Sequence, residues 1–126
     1  MTTSNIRQFN REMDEFVTTL APALVASFIA KVSFELLYRI VQKTPIDTGR
    51  ARGAWQMTVD EVNEEEFLGG DVLQNAMGVL PAIKGSSIVY LSNNVPYIIY
   101  LEKGSSKQAP EGMIEPSLSE VRQIFP

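Results

Sequence analysis

From Leu20 to Lys43 the chain is written almost entirely in residues that favour a helix, and Pro45 then forbids its continuation. No other stretch restricts the possible folds so much. Leu24, Val25, Phe28, Ile29, Val32, Leu36, Leu37, Ile40 and Val41 form an apolar stripe wider than one ordinary helix face. Ser27, Lys31, Glu35 and Arg39 step by four along a narrow polar ridge. A helix so apolar must be covered on most sides. In a domain of this size the cover is a sheet on one side and either another helix or another subunit on the other.

Upstream, Ser4 or Asn5 is placed to cap a first helix reaching Thr19, with Ile6, Phe9, Met13 and Phe16 at steps of three and four. Arg7, Arg11, Glu12 and Glu15 fall mostly on its other faces, and this mixed sign suits a solvated amphipathic helix better than one on an anionic membrane. Thr19 and Pro22 place a break between the two helices near residues 19–21. The most apolar run, Leu20 to Ala30, is eleven residues long and contains Pro22. Spanning a bilayer takes about 20. The polar start of the chain also lacks the features of a signal peptide. The expectation is a protein made in the cytoplasm and without a membrane partner.

Beyond Pro45 the pattern changes. Trp55, Met57 and Val59 alternate with Gln56, Thr58 and Asp60, so Ala54 to Val62 reads as a strand with one buried face. An acidic segment follows: Asp60, Glu61, Glu64, Glu65, Glu66 and Asp71 surround Gly69-Gly70, with no base between Gly53 and Ile83. Residues 72–82 read as a short helix or an irregular loop, so 60–82 stands out as an acidic, Gly-containing insert. Ser87 to Ser92 is a second strand, turned by Asn93-Asn94 through the tolerance of Asn for left-handed backbone. Pro96 starts a short helix with Tyr97, Ile98, Tyr100 and Leu101 inward and Glu102 and Lys103 in water, closed by Gly104. After a loop, a terminal helix starting at Glu115 carries Leu118, Val121 and Ile124, with Ile114 just before it on the same face.

These pieces make one α+β domain over residues 1–126: a long N-terminal helical region, with 1–20 as a helix or arm, packed on a small, mainly antiparallel sheet, with a short helix and a C-terminal helix. A net charge of −4 argues against a protein that holds nucleic acid through its phosphates. With no histidine and no cysteine, the commonest general base, metal ligand and thiolate are all missing.

The remaining chemistry is thin. The acids at 60–71 could ligate a hard cation, but their spacing is not that of a calcium loop, and a solvated acidic loop is the simpler reading. Ser105, Ser106 and Lys107 are contiguous, which is not the spacing of a Ser–Lys catalytic pair. Arg50 and Arg52 could clamp a phosphate, or instead bond local carbonyls or the acids of a neighbouring chain. Asp47 caps a turn over 48–53. No catalytic, metal or cofactor residue is assigned.

Two stretches together carry a resemblance: Thr44–Trp55 (TPIDTGRARGAW) and Ser92–Met113 (SNNVPYIIYLEKGSSKQAPEGM). The Pro-x-Asp-Thr-Gly turn after a long helix, then Asn-x-x-Pro-Tyr and Glu-x-Gly-x-Ser-x-Gln-Ala-Pro-x-Gly-Met before a last helix, resemble the paired motifs of the head–tail joining, or tail-completion, proteins of long-tailed bacteriophages. The similarity runs over most of residues 20–125, and the longer N-terminal helix and the acidic insert depart from it. The resemblance implies a structural virion protein of the phage neck, made in the host cytoplasm, with no enzymatic activity. It implies a homo-oligomeric ring, commonly a hexamer, between the tail tube or tail terminator protein and the head–tail connector or adaptor protein, with DNA as passing cargo. The neighbouring ring positions, terminator and adaptor, are the alternatives within that class, and a small metal-dependent hydrolase using the acidic cluster is the alternative outside it. Candidate interface residues are Asp47, Arg50, Arg52, Glu64, Glu65, Glu66, Lys103, Ser106, Lys107 and Gln108.

Overall fold

The computed structural model describes residues 3–46, 49–67 and 70–125. It is a mixed α and β fold in the order expected: a long N-terminal helix, a small antiparallel sheet, short helices and a terminal helix.

The first two helices are one. Helix α1 (Thr3–Glu15) passes through a π-helical segment (Phe16–Leu20) into α2 (Ala21–Lys43). The expected break near 19–21 is a register change instead, and the expected caps Ser4 and Asn5 lie inside the helix. Pro22 has no N–H to give to the turn before it. The chain meets this by widening that turn: the Ala21 N–H reaches back five residues to the Phe16 carbonyl, and the hydroxyls of Thr18 and Thr19 bond the carbonyls of Asp14 and Glu15.

Only the far end of α2 is in the core. Leu37, Ile40 and Val41 are buried, and Ile29, Val32 and Leu36 half-buried. Leu24, Val25 and Phe28 are exposed, as are Ile6, Phe9, Met13 and Phe16 on α1. The expectation that this helix is covered on most sides therefore fails within the chain: its most apolar 18-residue window is 6% buried. The same 39-residue helix (Asn5–Lys43) is long and apolar enough by composition to cross a membrane, since a window that admits Lys31 is longer than the run of eleven.

Strands β1 (Gln56–Val59) and β2 (Val89–Ser92) pair antiparallel, with Gln56 opposite Ser92 and Val59 opposite Val89. Between them the region 72–82 resolves as helix α4 (Val72–Val79) and a 3-10 turn (Leu80–Ala82), capped by the Asp71 carboxylate, which accepts from the Gln74 N–H at 3.2 Å. The acidic loop thus ends at residue 71. Two short helices, α3 (Arg50–Gly53) and α5 (Ile98–Glu102), and the terminal α6 (Ile114–Ile124) complete the fold. Leu37, Ile40 and Val41 meet Trp55, Met57, Val72, Ala76, Ala109 and Met113 in the core. Two positions differ from the sequence pattern on the outside: Tyr100 of α5 and Ile124 of α6 are exposed rather than inward.

Candidate functional site

The two motif stretches fold against each other around the end of α2. The last four carbonyls of a helix lack partners within it. Here side chains within the next twelve residues supply partners for three of them. The Thr44 hydroxyl donates to the Ile40 carbonyl at 2.7 Å, Arg52 Nε donates to the Val41 carbonyl at 2.9 Å, and Arg52 Nη2 donates to that of Gln42 at 2.9 Å. A guanidinium suits this place twice over, since its fork spans two carbonyls and its charge faces the negative end of the helix dipole. Trp55 Nε1 donates to the Thr44 hydroxyl at 2.8 Å, so the first residue of the turn and the last are tied.

The second stretch closes over the first. Asn93 Nδ2 donates to the Ala51 carbonyl at 2.8 Å, and the Ile46 N–H donates to Gln108 Oε1 at 3.1 Å. Asn94 Nδ2 reaches the carbonyls of Asn63 and Glu65 at 2.7 and 2.8 Å. The turn is made not by left-handed backbone but by the Asn93 side chain, whose Oδ1 accepts the Val95 N–H at 3.1 Å: among the described residues Asp60 alone of the non-glycines has a positive φ, at 67°. The Asp60 backbone and carboxylate both bond Ile88, pinning the ends of the two strands.

Glu102 is not in water. Its carboxylate accepts the N–H groups of Met113, Ile114 and Glu115 at 2.8, 2.9 and 3.3 Å, so a residue of α5 caps α6 across the intervening loop. The loop leaves α5 by a Schellman turn, with Gly104 N–H bonded to Leu101 and Ser105 N–H bonded to Tyr100. It returns at Gly112, whose φ is +81° and where a Cβ would lie 2.3 Å from the Glu102 carbonyl oxygen. Glycine is therefore required at 112 twice, by backbone and by space.

The candidate interface residues divide as follows. Asp47, with its expected capping role, lies outside the described residues. Arg50 and Arg52 are both engaged by their own chain: Arg52 at the end of α2, and Arg50 in a paired contact with the Glu66 carboxylate at 2.8 and 2.7 Å, with its guanidinium 5.7 Å from the centre of the Tyr97 ring. Hydrogen bonds from Arg50, above all, and the attraction of its charge hold the Glu66 carboxyl below its usual pKa. Glu64 and Glu65 are exposed on the loop, where the Glu65 backbone is held by Asn94 and by Gln56 Nε2 at 3.3 Å. Lys103 and Lys107 are exposed, the Ser106 hydroxyl accepts the Gln108 N–H at 3.1 Å, and Gln108 holds Ile46. Thr44, Trp55, Asn93, Asn94 and Glu102 carry more of this junction than the sequence pattern assigned to them. The signal available for them was the run of polar residues at fixed places inside both motifs.

The chemistry of the junction is that of a fastening. Among the described residues no group of three or more His, Cys, Asp or Glu side chains converges as metal ligands do. A cleft of about 340 Å³ lies beside it, between Gln42 and Lys43 and the 108–112 loop. Its one ammonium, Lys43, is bonded at 2.7 Å to Glu120, which also takes Arg39 Nη1 at 2.8 Å. No protein-family model, curated protein or solved structure matches this chain.

Proposed function

We propose that the chain is a structural subunit of the neck of a long-tailed bacteriophage, one copy of a ring at the head-proximal end of the tail that joins tail tube to head connector. The observation that carries this reading is the junction itself. The two stretches on which the resemblance rests lie about 40 residues apart in sequence, and they meet through Asn93 on Ala51, Gln108 on Ile46 and Arg50 on Tyr97. Motifs used only for local turns would have no need to meet.

Thr44, Arg50, Arg52, Trp55, Asn93, Asn94, Glu102 and Gln108 of the two motifs bond within the fold, as in a protein whose work is to hold a shape. The acidic loop suits a ring that passes DNA, because Glu61, Glu64 and Glu65 stay exposed and repel phosphates. A neighbouring ring position, terminator or adaptor, is the variant of this reading that the same features allow.

Deleting the gene from a phage that carries it and counting particles by electron microscopy is the test. Filled heads and finished tails that fail to join are the expected outcome, and normal virions would refute the proposal.

A further inference from the structure

The helix from Ile6 to Phe28 presents an apolar row that the described residues leave largely uncovered: Phe9 is 61% exposed, Val17 60%, Leu20 58%, Leu24 61% and Phe28 55%. We infer that this row is the surface on which a second copy of the chain packs, row against row. The inference deepens the ring reading and rests on it for the identity of the partner; it names the surface by which copies meet.

Four observations carry it. The first is area. With about 150–250 Å² for a whole aromatic side chain as the yardstick, these five side chains together with the exposed Ile6, Met13, Phe16 and Val25 present on the order of 900 Å², comparable with the ~800 Å² per partner of a standard specific interface. A monomer seldom leaves so large a contiguous patch to water.

The second is length. The row runs for roughly 34 Å at the helical rise of ~1.5 Å per residue. Among the described residues no other element offers a match: α4 with its 3-10 turn spans Val72 to Ala82, and α6 spans Ile114 to Ile124. The remaining exposed apolar side chains, such as Met77, Ile88 and Ile99, lie on separate elements. The surface that fits the row is the same row on another copy.

The third concerns the bilayer as a rival occupant. Folded parts of the domain lie beside the second half of the row. The turn at Lys84–Ser86 is against Pro22, so that a Cβ on Gly85 would come 3.0 Å from the Pro22 carbonyl oxygen. Phe125 meets Phe28 edge to face at 5.9 Å between ring centres, and the Lys31 ammonium is 6.0 Å from the centre of the Phe125 ring. Immersing the apolar middle of this helix in lipid would take Lys84 and the end of α6 with it. The polar side of α1 carries Arg7 and Arg11 against Glu12, Asp14 and Glu15, which gives no attraction to an anionic surface.

The fourth is the groove of about 530 Å³ between the row and that turn, lined by Val17, Ala21, Pro22, Val25 and the 84–86 backbone. It is a seat for the large side chains of a neighbouring helix, in the manner of a knob entering a hole.

Sedimentation velocity of the full chain over the micromolar range tests this, with Phe9→Lys/Leu24→Lys as the disrupting variant and Gln8→Lys/Ser27→Lys as a control of equal charge. Wild type and control should self-associate, and the disrupting variant should weaken association at least about tenfold in dissociation constant. The emission of Trp55, the only tryptophan, reports that each variant keeps its core, and Leu20→Ala provides a milder disruption should the double variant unfold. A wild type that stays monomeric overturns the inference, as does flotation of wild type with neutral vesicles that Phe9→Lys/Leu24→Lys abolishes. Rings formed undiminished by the disrupting variant overturn it while leaving the ring reading standing. Normal virions from a deletion phage, with association intact here, do the reverse.

Discussion

Trp55 Nε1 donates to the hydroxyl of Thr44 at 2.8 Å, with both residues buried, and the same hydroxyl donates to the Ile40 carbonyl at 2.7 Å. One oxygen thereby ends the long helix and anchors the start of the sheet. Thr44→Val keeps the shape and removes both bonds, leaving the indole N–H buried and unpaired. The expected cost is about 1–3 kcal/mol, read as a lower urea midpoint with unchanged slope. Thr44→Ser keeps the hydroxyl and should lose less than half of that. Equal losses for Val and Ser would mean that the methyl, not the bond, matters.

Glu102 caps α6 from outside it, through the N–H groups of Met113, Ile114 and Glu115. Glu102→Ala strips three donors of their partner at once and should cost about 1.5–3 kcal/mol, while Glu102→Gln, which keeps one acceptor oxygen, should cost less. Gly112→Ala attacks the same place from the other side, since its Cβ would fall on the Glu102 carbonyl oxygen at 2.3 Å. It should destabilise at least as much as Glu102→Ala. Thermal unfolding of the variants and of the double variant checks this; fully additive losses would show that the two positions act independently.

Much of the fold is legible in the sequence where one periodicity governs a whole element. The burial of Leu37, Ile40 and Val41, that of Trp55 and Met57, and the order of helices and strands follow from spacing, whereas Gln56, expected on the outer face of the strand, is buried too. What spacing could not reveal are bonds between elements distant in sequence. Glu102 beside Lys103 reads as a solvated pair until the loop folds back and brings three N–H groups to it. The break at 19–21 fails for a related reason. A cap and a proline mark a helix start, yet a helix can also absorb a proline by widening one turn, and Thr18 and Thr19 supply the hydroxyls that make this cheap. The exposed row from Ile6 to Phe28 is the third case: its apolar spacing is plain, but spacing does not say which surface would cover it.

Arg52 was a candidate contact to another subunit and is occupied at home, on the carbonyls of Val41 and Gln42 at 2.9 Å each. Its replacement should therefore lower the stability of the isolated chain, by about 1 kcal/mol for Arg52→Ala, and Arg52→Lys should recover only part because an ammonium lacks the two-pronged reach. Chemical unfolding at low protein concentration, where association is absent, is the measurement. An unchanged midpoint together with lost assembly would return Arg52 to the interface.

Glu66 and Glu120 should contribute to how the protein responds to acid. Hydrogen bonds from Arg50 lower the pKa of Glu66, and hydrogen bonds from Lys43 and then Arg39 lower that of Glu120, both from an ordinary value of 4.5. A carboxyl with a depressed folded-state pKa binds its proton more readily when unfolded. Its contribution to stability is thus fully present above the unfolded pKa and is lost as pH falls through the folded one. Stability should hold from neutrality down to about pH 4.5 on this account and decline below it. Glu66→Gln and Glu120→Gln should each lower stability at pH 7 and flatten the decline in acid, because the neutral amide has no proton left to bind. Both contacts are near the surface, so ~1 M salt, which shortens the screening length to about 3 Å, should narrow the gap between wild type and variants. Urea midpoints measured from pH 7 to pH 3 decide it. Curves for wild type and variants that run parallel throughout would show that these two pairs take no part in the acid response.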